Sequence, residues 1–269
     1  MTKNIGIIGC GWLGLPLAEE LHKTGYRISG TTTSVEKVSV LKTKGIQPFK
    51  ISISEDCIKG PISEFLSTLS ILIINIPPGL RGKGPKESYI EKIKLLYNTI
   101  KQSSVKQVIF ASSTAVYGEA EGTVTEKTTP APSTASGVQL LKCENLFLND
   151  EQLQTTIIRF GGLIGPERHP ITMLSGRENL KGGDAPINLI HLDDCIGIIK
   201  SVIEHNHWNA ILNAVYPQHP TKEEYYTKEA LKRGLTPPQY ESKNNKTYKL
   251  IATCSPFLNN KYCFLTTIN

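Results

Sequence analysis

The sequence predicts a doubly wound, parallel α/β sheet, and three observations predict it. Short apolar runs of β type alternate with helically periodic segments from residue 5 to residue 160. The run Ser70-Ile71-Leu72-Ile73-Ile74-Asn75-Ile76 is apolar without alternation, as a parallel strand buried on both faces must be. The runs close on small or turn-forming residues: Pro77-Pro78-Gly79, Ser112-Ser113-Thr114 and Gly161-Gly162.

In chain order, Ile5-Gly6-Ile7-Ile8 is the first strand. Residues 15–24 are the first helix, with Leu17, Ala18 and Leu21 on one side and Gly25 closing it. Residues 27–31 are the second strand, and 70–76 the next apolar strand. A polar loop rich in Gly and Lys spans 81–86. A helix follows over 89–103 through Ile90, Ile93, Leu96, Tyr97 and Ile100. Residues 106–111 are a strand. Residues 119–136, rich in Thr, Pro, Ala and Ser, are expected to be a long loop of the kind that carries function. Residues 137–148 are helical and 155–160 are a strand. Beyond Gly165 the pattern weakens to short strands at 187–191 and 211–215 around a helix at 195–204, with 225–233 and the tail expected to form a small lid. The organisation expected is a nucleotide domain over 1–165 and a small C-terminal substrate domain over 166–269, partly interleaved with the first.

Composition narrows the function classes. The 269 residues carry 30 Lys and Arg against 24 Asp and Glu, a net charge of +6, with 39% hydrophobic and 20% charged residues. These are ordinary globular values. Lys243, Lys246, Lys249 and Lys261 against Glu241 supply +3 of that charge, scattered through a polar tail. No sustained basic stripe calls for nucleic acid, and no apolar run is long enough for a membrane span. The six cysteines are dispersed without a CxxC, which reads as free thiols in a reducing, cytoplasmic setting. Too few residues precede Cys10 for an export signal. His205 and His207 lack a third ligand, so no metal site is expected.

The chemistry begins at Gly9-Cys10-Gly11-Trp12-Leu13-Gly14, a GxGxxG between the first strand and the first helix. Gly9 makes the tight turn and Gly11 lets the backbone approach a pyrophosphate. Gly14 lets helix and strand pack closely, and the helix N-terminus presents free N–H groups to the phosphates. The second strand ends in Thr31-Thr32-Thr33-Ser34 followed by Lys37, where an NAD site usually has an acid for the ribose 2′-hydroxyl. Hydroxyls and a cation suit a 2′-phosphate, so NADP is expected, with NAD the alternative. Ligands of such sheets lie outside the carboxyl ends of the strands. Segments 9–14, 31–34, 75–79, 112–117 and 160–165 should therefore line one crevice.

The ordered series GCGWLG (9–14), NIPPG (75–79), SSTAVYG (112–118), RFGGLIGP (159–166) and NLIHLDD (188–194) resembles the extended and atypical short-chain dehydrogenase/reductase superfamily, its epimerase/dehydratase-like branch. With GTTTS it looks particularly like the atypical group that includes the bacterial YeeZ-like proteins. The resemblance implies a Rossmann domain, a nicotinamide cofactor and a small polar, nucleotide-sugar-like substrate, acted on by an oxidoreductase or epimerase-like enzyme. It implies that Gly9, Cys10, Gly11, Trp12, Leu13 and Gly14 hold the dinucleotide, with Thr32, Thr33, Ser34 and Lys37 at the adenosine ribose. Asn75, Ile76, Pro77 and Ser112 lie beside the cofactor, and Phe160, Gly162 and Leu163 beside the nicotinamide. Ser113 orients the substrate's reacting oxygen.

One departure stands out. The family's Tyr-x-x-x-Lys pair, in which the Tyr supplies the proton and the Lys lowers its pKa, falls on Ser136 and Leu140 here. Neither does that job, and Tyr117 is the other tyrosine near enough to be a proton donor, although a packed ring in the VYG turn is the plainer reading. A dinucleotide-binding sensor without catalysis is therefore the second expectation. His169, Arg159 and Arg177 are weighed as substrate contacts, with His169 equally readable as an exposed loop residue. His191 reads as a hydrogen-bonded structural residue, and Asp193 as the cap of a helix starting near Asp194. The partner expected is a small molecule, with a homodimer left open.

Overall fold

The structure, a computed structural model, describes residues 3–80, 86–241 and 248–268. The Gly/Lys-rich loop at 81–86, apart from Lys86, and the tail lysines Lys243 and Lys246 lie outside the described residues.

Seven strands form one sheet: β1 (Asn4–Ile8), β2 (Arg27–Thr32), β3 (Gln47–Lys50), β4 (Ile71–Ile74), β5 (Gln107–Ser113), β6 (Gln154–Phe160) and β7 (Ala210–Ala214). Their order is β7-β6-β5-β4-β1-β2-β3, with every pairing parallel. The order reverses between β1 and β4, which makes their carboxyl ends the switch point where a Rossmann sheet opens its crevice. The helices that matter here are α1 (Gly14–Lys23), α2 (Val35–Thr43), α3 (Tyr89–Lys101), α4 (Ala135–Leu148), α5 (Leu192–Glu204) and α6 (Lys222–Lys232).

Strand pleating sorts the core into two layers. Ile5, Ile7, Ile71 and Ile73 pack with Leu17 and Leu21 of α1 and Ile198 and Val202 of α5. Ile8, Leu72 and Ile74 face the other way, against Ile93, Leu96 and Ile100 of α3 and Leu140 and Phe147 of α4. Residues beyond 165 enter both kinds of structure. β7 and α5 complete the sheet and its first layer. Ile171, Ile187, Leu189, Tyr225 and Tyr226 form a separate small core with Ile164.

Two details revise the local expectations. α5 begins at Leu192, and its cap is His191, whose Nδ1 accepts from the Asp193 N–H at 3.2 Å. Asp193 sits exposed in the first turn. Asp194 is fully buried, and its carboxylate receives the Tyr262 hydroxyl at 2.8 Å, the Leu265 N–H at 2.7 Å and the Thr266 hydroxyl. Those three donors tie the tail to the start of α5. The long loop at 119–136 is also pinned. It contributes the strand Gly122–Val124, paired with Lys249–Ile251. Its Glu126 accepts from the Asn213 N–H, the Thr253 hydroxyl and the Cys254 N–H at 2.6–2.8 Å. Burial works to raise the Glu126 pKa, but those hydrogen bonds outweigh it and hold the carboxyl below its ordinary value.

Beneath the carboxyl edge lies a buried ion pair. Glu144 of α4 and Arg159 of β6 are 0% and 2% exposed. The guanidinium gives Glu144 bonds from Nε and Nη2 at 2.7–3.2 Å, and its Nη1 donates to the Tyr117 hydroxyl at 2.8 Å. Ser112 donates its hydroxyl to the same carboxylate at 2.5 Å. Tyr117 in turn donates to Asn213 Oδ1 of β7 at 2.9 Å. The network therefore joins α4, β5, β6 and β7. Removing one member of such a pair strands the other charge in the core. Glu144→Met is expected to cost about 3–5 kcal/mol in urea unfolding, and Glu144→Met with Arg159→Met to recover part of it. A single-variant loss below about 1 kcal/mol contradicts this account.

Candidate functional site

The glycine loop is built by three strands meeting. Gly9, at φ +98°, donates its N–H to the Thr31 hydroxyl at 3.0 Å, and Cys10 donates to the Thr31 carbonyl at 3.0 Å. Asn75, directly after β4, donates Nδ2 to the Gly9 carbonyl at 3.1 Å. A Cβ on Gly9 would lie 2.5 Å from the Asn75 carbonyl oxygen, and one on Gly14 would lie 2.1 Å from the Gly9 carbonyl oxygen. Gly11 differs: a Cβ there would meet nothing within 4 Å. Among the described residues, the Trp12 and Leu13 N–H groups have no hydrogen-bond acceptor. An open approach to the backbone, with unpaired donors at the start of α1, is what a pyrophosphate requires. The residues present fit the phosphates of a dinucleotide.

Around this loop, the residues expected at the cofactor divide by what is left of them for a ligand. Cys10 and Leu13 bury their side chains, so only their backbones face the crevice, and burial pushes the Cys10 thiol up to about 12. Thr32 is buried and accepts from the Ser34 N–H at 3.2 Å. Ser34 caps α2 through the Lys37 N–H and also donates to the Glu36 carboxylate. Thr33 and Lys37 are exposed. The Ile76 carbonyl accepts from Tyr89, leaving Pro77 exposed at the rim. The Ser112 hydroxyl points inward to Glu144, so only its backbone faces outward. Phe160 is buried, whereas Gly162 and Leu163 run along the edge beside Leu189–His191.

Ser113 ends β5 with its hydroxyl half-exposed and accepting from the Ala115 N–H at 3.2 Å. Tyr117 lies 1% exposed beneath it, with its phenol shared between Arg159 and Asn213. Burial raises its pKa although Arg159 pulls the other way. The proton-donor role expected for Tyr117 has no accessible hydroxyl behind it. The expected substrate contact through Arg159 fails for the same reason, since its guanidinium is spent on Glu144 and Tyr117. Ser136 lies near the start of α4 and Leu140 is packed in the core. Gly137 brings α4 so close that a Cβ would sit 2.6 Å from the Ala115 carbonyl oxygen. His169 is buried, not exposed. Its Nδ1 accepts from the Ile171 N–H at 3.2 Å, which leaves Nε2 as donor to the Tyr225 hydroxyl 3.0 Å away. Burial lowers its pKa to about 4.

A cavity of about 470 Å³ lies between residues 118–121, residues 185–189 and the segments carrying Lys222, Tyr226 and Lys249. Gly118, Glu119, Asn188, Lys222, Tyr226 and Lys249 are among its lining residues. Lys249 donates to the Gly118 carbonyl, and burial lowers its pKa. Nothing in the sequence pattern marked Lys249 or Lys222 as lining residues, because each reaches the cavity from a distant segment of chain.

Comparison with known proteins places this arrangement. Residues 4–79 match the NAD binding domain of 6-phosphogluconate dehydrogenase. Protein YeeZ of Escherichia coli strain K12 is 32% identical over 241 residues, covering 89% of this chain and 87% of that protein. The chain belongs to the YeeZ family. A protein of Bacillus subtilis described as an uncharacterized UDP-glucose epimerase, YtcB, is 24% identical over 177 residues, covering 60% of this chain and 56% of that protein. In fold, the YeeZ-family chain is similar to UDP-glucuronic acid 4-epimerase from Bacillus cereus, solved with UDP-glucuronic acid and NAD. That likeness has a TM-score of 0.80 at 18% identity, over 98% of this chain and 95% of that one.

The two kinds of glycine give a paired prediction for this YeeZ-family site. Gly14→Ala is expected to destabilise the protein by about 1–3 kcal/mol in urea unfolding, because backbone must move. Gly11→Ala is expected to stay within about 0.5 kcal/mol of wild type while weakening dinucleotide affinity, read by calorimetry. Equal stability losses at the two positions would refute the distinction.

Proposed function

We propose that this chain binds a nicotinamide dinucleotide across the carboxyl ends of β1, β2 and β4 and acts as an oxidoreductase or epimerase-like enzyme on a small polar, nucleotide-sugar-like substrate. The observation that carries the reading is the open Gly11 backbone with unpaired Trp12 and Leu13 N–H groups at the sheet's switch point. The cofactor, when bound, supplies hydride exchange at its nicotinamide ring.

The chain's own residues do the rest. Gly11, Trp12 and Leu13 bind the pyrophosphate, and Asn75 holds the loop in place from β4. Thr33 and Lys37 face the adenosine ribose, and they favour NADP through a 2′-phosphate, with NAD the alternative. Glu36, beside Ser34, works against that charge, and the NAD-bound Bacillus cereus epimerase supports the alternative. Ser113 orients the substrate's reacting oxygen at the end of β5. The substrate occupies the cavity that opens at Gly118, in the same connection as Ser113, where Lys249, Lys222 and Asn188 meet polar groups and Pro186 and Ile187 give apolar contact. Within residues 166–269, the parts outside α5 and β7 serve in this reading as the substrate and lid region. The six free cysteines suit a cytoplasmic protein.

A second reading, a dinucleotide-binding sensor without turnover, is favoured by one observation. Leu140 lies in the core and Tyr117 is sealed, so neither replaces the family's proton-transfer pair. NADPH and NADH titrations followed by a nucleotide-sugar turnover panel separate the two. Binding with turnover that falls at least tenfold in Ser113→Ala supports the enzyme; binding without turnover supports the sensor, and no binding overturns both. Lys37→Ala is expected to lower the NADPH/NADH affinity ratio several-fold, in line with loss of a charge-assisted phosphate contact. An unchanged ratio removes Lys37 as the discriminating cation.

A further inference from the structure

The five strand-end segments 9–14, 31–34, 75–79, 112–117 and 160–165 carry no charged side chain. A pyrophosphate held there would meet backbone dipoles alone, unless a cation reaches in from a neighbouring segment. Arg168 is placed to do so. It ends a four-residue turn, Gly165 to Arg168, closed by two backbone hydrogen bonds: Gly165 N–H to the Arg168 carbonyl at 2.9 Å, and Arg168 N–H to the Gly165 carbonyl at 3.1 Å. Glu167 holds φ +56° within it, a conformation unfavourable for a residue with a Cβ. The turn is fastened to the glycine loop itself. Trp12 Nε1 donates to the Pro166 carbonyl at 3.0 Å, and the Arg168 guanidinium lies 4.8 Å from the centre of the Trp12 ring. A Cβ on Gly165 would lie 3.1 Å from the indole, so the turn also abuts its edge.

Trp12 is therefore two things at once. Its backbone N–H is one of the unpaired donors of the loop, and its ring is the platform on which an arginine rests. The guanidinium is exposed and, among the described residues, forms no ion pair. The ring holds the guanidinium near the glycine loop while its N–H groups have no hydrogen-bond partner among the described residues, which leaves them free for phosphate oxygens.

We propose that Arg168, held on the Trp12 ring, is a phosphate-binding residue of the site and supplies the positive charge to a dinucleotide's pyrophosphate. This rests on the dinucleotide-binding reading. It differs from the role given to Lys37, which bears on the 2′-phosphate alone. Loss of Arg168 should weaken NADPH and NADH equally, because both carry the pyrophosphate.

The test is calorimetric titration of NADPH and of NADH into the full chain as wild type, Arg168→Gln and Arg168→Lys, at about 50 and about 500 mM salt, where the screening length differs several-fold. Arg168→Gln is expected to weaken both ligands about tenfold at low salt, the effect of losing one charge-assisted hydrogen bond, and the difference from wild type should shrink at high salt. Arg168→Lys, which keeps the charge and loses the planar fork, should fall between. A salt-independent loss in Arg168→Gln, or wild-type affinity in both variants while wild type binds well, overturns the role of Arg168 and leaves the dinucleotide reading standing. Failure of the wild type to bind either dinucleotide overturns both.

Discussion

The geometry of the carboxyl edge depends on how closely β1, β2 and β4 approach one another at Gly9. The Gly9 N–H reaches Thr31 of β2, and its carbonyl accepts from Asn75 after β4. Its Cα faces the Asn75 carbonyl across a gap that no Cβ fits. That convergence directs the loop upward and turns the first residues of α1 so that Trp12 and Leu13 keep free N–H groups. A wider spacing would let ordinary residues replace glycine and would also let the loop fold onto its own donors. The close approach is thus both a packing constraint and the origin of an anion site.

A second arrangement lies one layer below. Where the resemblance would place a Tyr-x-x-x-Lys pair on α4, this chain has a half-buried serine and a core leucine. The ionic chemistry of the region has moved inside, to Glu144, Arg159, Tyr117 and Asn213. Such a network braces β5, β6 and β7 beneath Ser113 and offers no proton to the crevice. Among the residues lining the cavity that opens at Gly118, Lys249 is a cation whose pKa burial lowers.

The sequence made the centre of this fold readable, and its periphery much less so. β1 and β4 carry apolar runs, β6 is rich in β-branched residues, and the glycine loop is a local backbone requirement written in adjacent residues. β3 was missed because Gln47-Pro48-Phe49-Lys50 buries a single large side chain, Phe49, and an edge strand with proline carries little pattern. The Glu144–Arg159 pair had a signal that went unused: an acid between Leu140, Cys143 and Phe147 on the buried side of a helix, and an arginine within a buried strand. The partners of Asp194 stand 68 to 72 residues away, and those of Glu126 stand 87 to 128 away. Only the folded chain brings them together. Arg168 on Trp12 was likewise invisible at a separation set by the crossing of two loops.

The most direct measurement of the central claim, that the glycine loop and the turn after β6 together hold a dinucleotide, is amide hydrogen exchange with and without NADPH or NADH. The account predicts added protection in peptides spanning 9–14, 75–79 and 165–168, with the amino-edge segment around Trp208 unchanged. Unaltered exchange in 9–14 at saturating dinucleotide would contradict it.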